Sequence, residues 1–195
     1  MNNLNFINKW ITSNSSVLDL GCGQGNLLEK LTNSLEIKGY GIEIGNQNIE
    51  LCLEKGLNII QQDIDEGLEN IGTKSFDTVI LSETIHVLKK PDQALKEITR
   101  IGKNSIVTIP NFAHWSSRIS LLTKGRMPLS DSHPNSWYES ENLHLCTLKD
   151  FEDLCNTLNI KILDRILISS LNRNSAYLNF LPNLLSYYAM YKLSD

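Results

Sequence analysis

The residues with the clearest chemical potential stand near the amino terminus, in the run Asp19-Leu20-Gly21-Cys22-Gly23-Gln24-Gly25-Asn26. Three glycines at alternate positions give a backbone that accepts positive φ and lets a ligand approach the main chain closely. A helix starting directly behind such a loop offers free N–H groups and a partial positive charge, which suits a carboxylate or a phosphate. Glu43 closes a predicted second strand and can accept from two ribose hydroxyls at once. That is the role of the acidic residue ~20 positions beyond the glycines in dinucleotide sites. Asp63 follows a predicted third strand and can accept from an exocyclic adenine amine. Ser82 and Glu83 end a fourth, where the edge of a cofactor or substrate would lie. With Asp19, Gly21, Gly23 and Gly25, these groups gather at the carboxyl ends of strands, where open α/β sheets bind ligands.

The elements that must position them are legible as an alternation of strand and helix, the pattern of an α/β fold with a parallel sheet. Ser16 to Leu20 is a short apolar strand, and Leu27, Leu28, Leu31 and Leu35 line one face of the helix after it. Lys38 to Ile44 reads as strand two. Ile49, Cys52 and Leu53 form one face of a second helix, with Gly56 placed to cap it. Leu57 to Gln62 is strand three, and Phe76 to Ser82 is strand four, apolar enough for burial on both faces. Pro91-Asp92 opens a helix carrying Ala94, Leu95, Ile98 and Ile101, with Gly102 at its end. Ser105 to Ile109 is strand five, stopped by Pro110. From Asn111 to Cys146 the alternation breaks. Thr147 then caps a helix from Leu148 to Leu158. Ile160 to Ser169 is strand six, residues 170–175 are a loop, and Ser186 to Leu193 is a Tyr-rich last strand with polar tips.

The chain has 195 residues, which fits one domain spanning 1–195. Residues 111–146 are expected as an inserted segment, serving as a lid or a partner surface. Trp115, Arg118, Arg126, Trp137 and Tyr138 are residue types enriched at binding hot spots; the equal alternative is that Trp115 and Trp137 fill a small subsidiary core. Lys and Arg total 18 against 22 Asp and Glu, a net charge of −4, which argues against nucleic acid or an anionic membrane as the main partner. No stretch approaches the ~20 apolar residues of a membrane span, and the first residues do not read as a signal peptide. Cys22, Cys52, Cys146 and Cys155 are scattered without C-x-x-C or zinc spacing, so reduced thiols in a cytoplasmic protein with no metal are expected.

A dinucleotide fingerprint G-x-G-x-x-G would place Gly at position 26, where the chain has Asn26. The pattern present, Asp-x-Gly-x-Gly-x-Gly, resembles motif I of class I S-adenosylmethionine-dependent methyltransferases. A nicotinamide cofactor and an empty pocket are the competing readings. A closer resemblance, to the MetW family of bacterial methionine-biosynthesis proteins, is carried by Val17-Leu18-Asp19-Leu20-Gly21-Cys22-Gly23, Gly39-Tyr40-Gly41-Ile42-Glu43-Ile44 and Gln62-Asp63-Ile64-Asp65-Glu66-Gly67-Leu68. It continues in Ser75 to Ser82, Pro110-Asn111-Phe112-Ala113-His114-Trp115, Gly125-Arg126-Met127-Pro128, Ser136-Trp137-Tyr138, Asn142 to Thr147 and Pro182-Asn183-Leu184-Leu185, covering about residues 15 to 193.

The resemblance implies a three-layer, Rossmann-like class I methyltransferase fold with a mostly parallel seven-stranded sheet and one antiparallel strand. It implies S-adenosylmethionine or S-adenosylhomocysteine as cofactor. It also implies association with, and support of, homoserine O-acyltransferase. An active methyltransferase on a small acceptor is the alternative. Gln24 stands where family members often carry an acid, and Glu83-Thr84-Ile85-His86 replaces a Gln-rich version. No compact catalytic motif appears. His86 is placed to serve as a base, but it, His114 and His144 read first as structural histidines.

Overall fold

In the structure, a computed structural model that describes residues 4–128, 144–171 and 173–195, the seven strands form one sheet. They are β1 (Ser16–Leu20), β2 (Lys38–Glu43), β3 (Asn58–Gln61), β4 (Phe76–Leu81), β5 (Gly102–Pro110), β6 (Lys161–Ile168) and β7 (Tyr188–Ser194). The order across the sheet is β3-β2-β1-β4-β5-β7-β6. β1 to β5 pair in parallel, and β7 enters antiparallel between β5 and β6. The expected α/β sheet with one antiparallel strand is therefore present.

The helices are α1 (Leu4–Ile7), α2 (Asn26–Leu35), α3 (Asn46–Glu54), α4 (Pro91–Ile101), α5 (Trp115–Lys124), α6 (Leu148–Thr157) and α7 (Pro182–Leu185). Strand side chains alternate between faces, and the core splits accordingly. Leu18, Leu20, Val79, Leu81 and Val107 pack with Leu95 and Ile98 of α4 and Phe151 and Cys155 of α6. Val17, Ile80, Ile106 and Met190 pack with Leu28 and Leu31 of α2 and with Ile7 and Ile11. Helices thus cover both faces, giving three layers.

Several local expectations change. Leu53 points largely to solvent, and α3 buries Cys52. The reason is that α3 lies beside β3, an edge strand that is mostly exposed and offers little apolar surface to cover. Helix α5 occupies a stretch where no helix is predicted. The His114 ring caps it by accepting from the Ser116 amide, and Gly125 ends it in a left-handed conformation. Its apolar residues Trp115, Ile119 and Leu122 follow helical spacing but face outward, and Ser117 is its buried residue. The last strand begins at Tyr188 because α7 takes up Pro182 to Leu185 first. Trp137 and Tyr138 lie outside the described residues.

Candidate functional site

The chain runs outward from β1 through β2 to β3, then returns to lay β4 on the other side of β1. The carboxyl ends of β1 and β4 therefore flank a topological switch point, the crevice where open α/β sheets take their ligands. Two loops meet there. The first leaves β1 through Gly21, Gly23 and Gly25, all left-handed, with φ of 69°, 53° and 71°. The second leaves β4 through Ser82, Glu83 and Thr84, and Glu83 is itself left-handed, an uncommon state for a residue with a Cβ.

The three glycines serve different ends. A Cβ on Gly21 would stand 2.7 Å from the Thr84 side chain, and one on Gly25 would run into Leu57 and Cys52. These two let the loop pack against its own protein. A Cβ on Gly23 would meet nothing within 4 Å. Gly23 is therefore the position where the loop presents bare backbone to open space, the cradle a ligand needs.

Glu43, at the end of β2, is buried and holds this loop in place. Its Oε2 accepts from the Gly23 amide at 2.8 Å, and its Oε1 accepts from the amides of Ile44 and Gly45 at 3.1 and 2.9 Å. From the sequence, Glu43 has one expected task, accepting from a sugar. The structure gives it a second, because three backbone donors already converge on it. Asp19 lies nearby, 3 % exposed. Burial first, and the Glu43 charge second, push its pKa up to about 7. None of the described residues donates a hydrogen bond to its carboxylate. A buried acid beside a second carboxylate creates a field that favours a cation or a hydroxyl donor. Burial and the Asp19 charge likewise push the Cys22 thiol up, so it stays protonated.

Asp63 follows β3 and caps a short 3-10 turn, its Oδ1 accepting from the Asp65 amide at 2.9 Å. Ser82 follows β4, its hydroxyl 3.3 Å from that of Thr108 in β5. All the predicted site residues therefore lie at or just after the carboxyl ends of β1 to β4. Residues absent from the prediction stitch the rim. The Thr84 hydroxyl lies within hydrogen-bond reach of the carbonyls of Leu20 and Ser82. Asp65 accepts from the amides of Lys89 and Lys90, joining the loop after β3 to the start of α4. Lys55 donates to the Gln24 carbonyl at 2.8 Å and pairs with Glu29. A polar residue after a strand end was the available signal for Thr84. Lys55 and Asp65 had none, since their partners are distant in sequence. His114 is buried, with its pKa lowered by that burial, and its cap to α5 gives it a structural role. Among the described residues, no group of three or more His, Cys, Asp or Glu is placed to hold a metal ion, and no helix is long and apolar enough to cross a membrane.

A model of the family described as methionine biosynthesis protein MetW matches residues 1–193. The chain belongs to the MetW family. A curated relative, the bifunctional methionine biosynthesis protein MetXA/MetW of Rhodopirellula baltica, is 32 % identical over 161 residues. That match takes in 78 % of this chain and 26 % of the relative, so this MetW chain spans about a quarter of the length of the protein it matches. Among solved structures, an S-adenosylmethionine-dependent methyltransferase from Mesorhizobium loti superposes with a TM-score of 0.71 at 11 % identity, covering 99 % of this chain and 97 % of that one. One from Archaeoglobus fulgidus gives 0.70 at 17 %, covering 99 % and 91 %. At these identities the likeness is one of fold, and this MetW protein has the Rossmann-like methyltransferase fold.

The residues present fit such a cofactor. The Gly23 backbone, bonded to Glu43 and open at its Cβ position, and the carboxylates of Asp19 and Glu43, close enough to act on one another, make an acidic cluster at the strand ends. Hydroxyls and a cationic centre are the complement of those acceptors.

Proposed function

We propose that this MetW protein binds S-adenosylmethionine or S-adenosylhomocysteine at the glycine loop, associates with homoserine O-acyltransferase and supports that enzyme's activity. The observation that carries the reading is the curated relative in which a MetW portion and a MetXA portion, the homoserine acyltransferase, share one chain. Gly23 gives the nucleoside access to the main chain, Glu43 and Asp63 accept from its sugar and base, and Asp19 stabilises positive charge. Segment 111–146 is the candidate partner surface, with Trp115 and Ile119 half-exposed on α5 and Leu122 86 % exposed. Large exposed apolar side chains grouped on one helix favour a protein contact. A nucleoside bound differently by the free and docked forms would couple cofactor supply to the partner's activity. The test is co-purification of the two proteins and acyltransferase rates across a titration of this one. Association and a changed rate are expected. Unchanged kinetics at saturation would reject the reading.

The intact crevice favours a second reading, an S-adenosylmethionine-dependent methyltransferase on a small acceptor. Bound S-adenosylmethionine supplies an already activated methyl group, so the chain's residues need chiefly to orient and to exclude water. Turnover of labelled cofactor with cell-extract metabolites tests it. Label incorporation no greater than in a Gly23→Val control would count against it.

A further inference from the structure

Helices α6 and α7, with Arg118 of α5, enclose a cleft of about 380 Å³ remote in sequence from the glycine loop. Its cationic lining is Arg118, Lys149 and Arg165, and its one acid is Glu152. Glu152 is engaged through one of its oxygens. Its Oε1 accepts from Arg165 at 2.6 Å and from the Tyr191 hydroxyl at 2.9 Å. Arg165 and Glu152 therefore offset one another, and two positive charges remain.

Those two have no acid to answer them among the described residues. The Arg118 guanidinium is steadied by carbonyls, donating to Ala113 at 2.6 Å and to Asn183 at 3.5 Å. The Nη1 end of its fork is left for a planar anion. No hydrogen bond or ion pair holds the Lys149 ammonium among the described residues, and it lies on the first turn of α6. Asn183 adds a neutral donor. Its Oδ1 accepts from the Leu148 amide at 3.1 Å, which fixes the flip and leaves the NH2 group to donate. The remaining walls include Leu181, Pro182 and Leu184. An excess of cationic donors, three against one acid, set over an apolar wall, describes one ligand chemistry.

We propose that this cleft is a binding site for a small organic anion, a carboxylate or phosphate on a short apolar body, held by Arg118 and Lys149. The site stands apart from the nucleoside crevice and does not depend on that assignment. The test is an NMR titration of the 15N-labelled protein with hexanoate, hexyl phosphate and hexylammonium. Saturable shifts at the amides of Leu148, Lys149 and Leu184 are expected with one or both anions, and the tighter one identifies the headgroup. Hexylammonium should leave those amides unmoved. Lys149→Gln, at an exposed side chain with no partner to lose, should weaken the anion about 3- to 10-fold, and Lys149→Arg should restore it. Arg118→Gln should weaken it by about 10-fold or more. Glu43→Ala should titrate like the wild type here, whatever it does at the nucleoside crevice. Equal affinity in wild type and Lys149→Gln, meaning an adventitious ion only, would overturn the proposal. So would hexylammonium binding as well as hexanoate, which would mark a merely apolar groove.

Discussion

Glu43 and Gly23 are joined across 20 residues by a 2.8 Å hydrogen bond from the Gly23 amide to Oε2 of the carboxylate. The strand-two acid and the glycine loop are therefore one structural unit. A change at Glu43 removes a ligand acceptor and releases the loop that would cradle the same ligand.

Glu43→Ala should accordingly lower affinity for S-adenosylhomocysteine at least ~10-fold, since each charge-assisted hydrogen bond lost is worth ~1.5–3 kcal/mol. Hydrogen exchange at the Gly23 amide should quicken in the same variant without ligand. Glu43→Gln keeps an acceptor and loses the charge, so it should fall between. Calorimetry and exchange mass spectrometry check both effects. Wild-type titration by the alanine variant would remove the pocket assignment.

The glycines of the loop should separate in stability measurements. Any side chain in the left-handed state costs ~1–2 kcal/mol. Gly25→Ala adds a collision with Leu57 and Cys52, so it should cost a further ~1–3 kcal/mol in urea unfolding. Gly23→Ala meets open space and should pay only the backbone cost. Gly23→Val should abolish nucleoside binding in a protein that still folds. Equal melts for Gly23→Ala and Gly25→Ala would contradict this division.

Asp19 predicts a pH dependence with a definite sign. Its carboxyl titrates at about 7 when folded, against 3.8 for the ordinary group, so between these values the folded state holds more protons. Stability should therefore fall as pH rises from about 4 to about 7 and level off above that. The full effect is on the order of 4 kcal/mol. Asp19→Asn should flatten this part of the profile. A bound sulfonium or ammonium would favour the ionised acid, so S-adenosylmethionine binding near pH 6 should release a proton. Calorimetry in buffers of different ionisation enthalpy reads that release directly.

Thr147 and Asp150 cap α6 reciprocally, the Thr147 hydroxyl accepting from the Asp150 amide and the Asp150 carboxylate from the Thr147 amide. Thr147→Ala should cost ~1 kcal/mol, a fall of ~2–4 °C in melting temperature for a domain of this size. Thr147→Ser should retain the cap and most of that stability.

Much of this architecture is written locally. The β1–loop–α2 unit, the apolar β4, the Pro91 start of α4 and the Thr147 cap each depend on residues a few positions apart, and period and punctuation reveal them. The same holds for the placement of Asp19, Glu43, Asp63 and Ser82 at strand ends, since alternation alone puts them there. What the tertiary structure decided is who meets whom. That Glu43 also accepts from the Gly23 amide, that Thr84 fills the space beside Gly21, and that β7 slips antiparallel between β5 and β6 all depend on contacts between distant parts of the chain. Helix α5 was not legible in the residues, and neither was the outward aim of its Trp115, Ile119 and Leu122. Periodicity reports that a face exists, and only packing determines whether that face is turned to the core or to solvent.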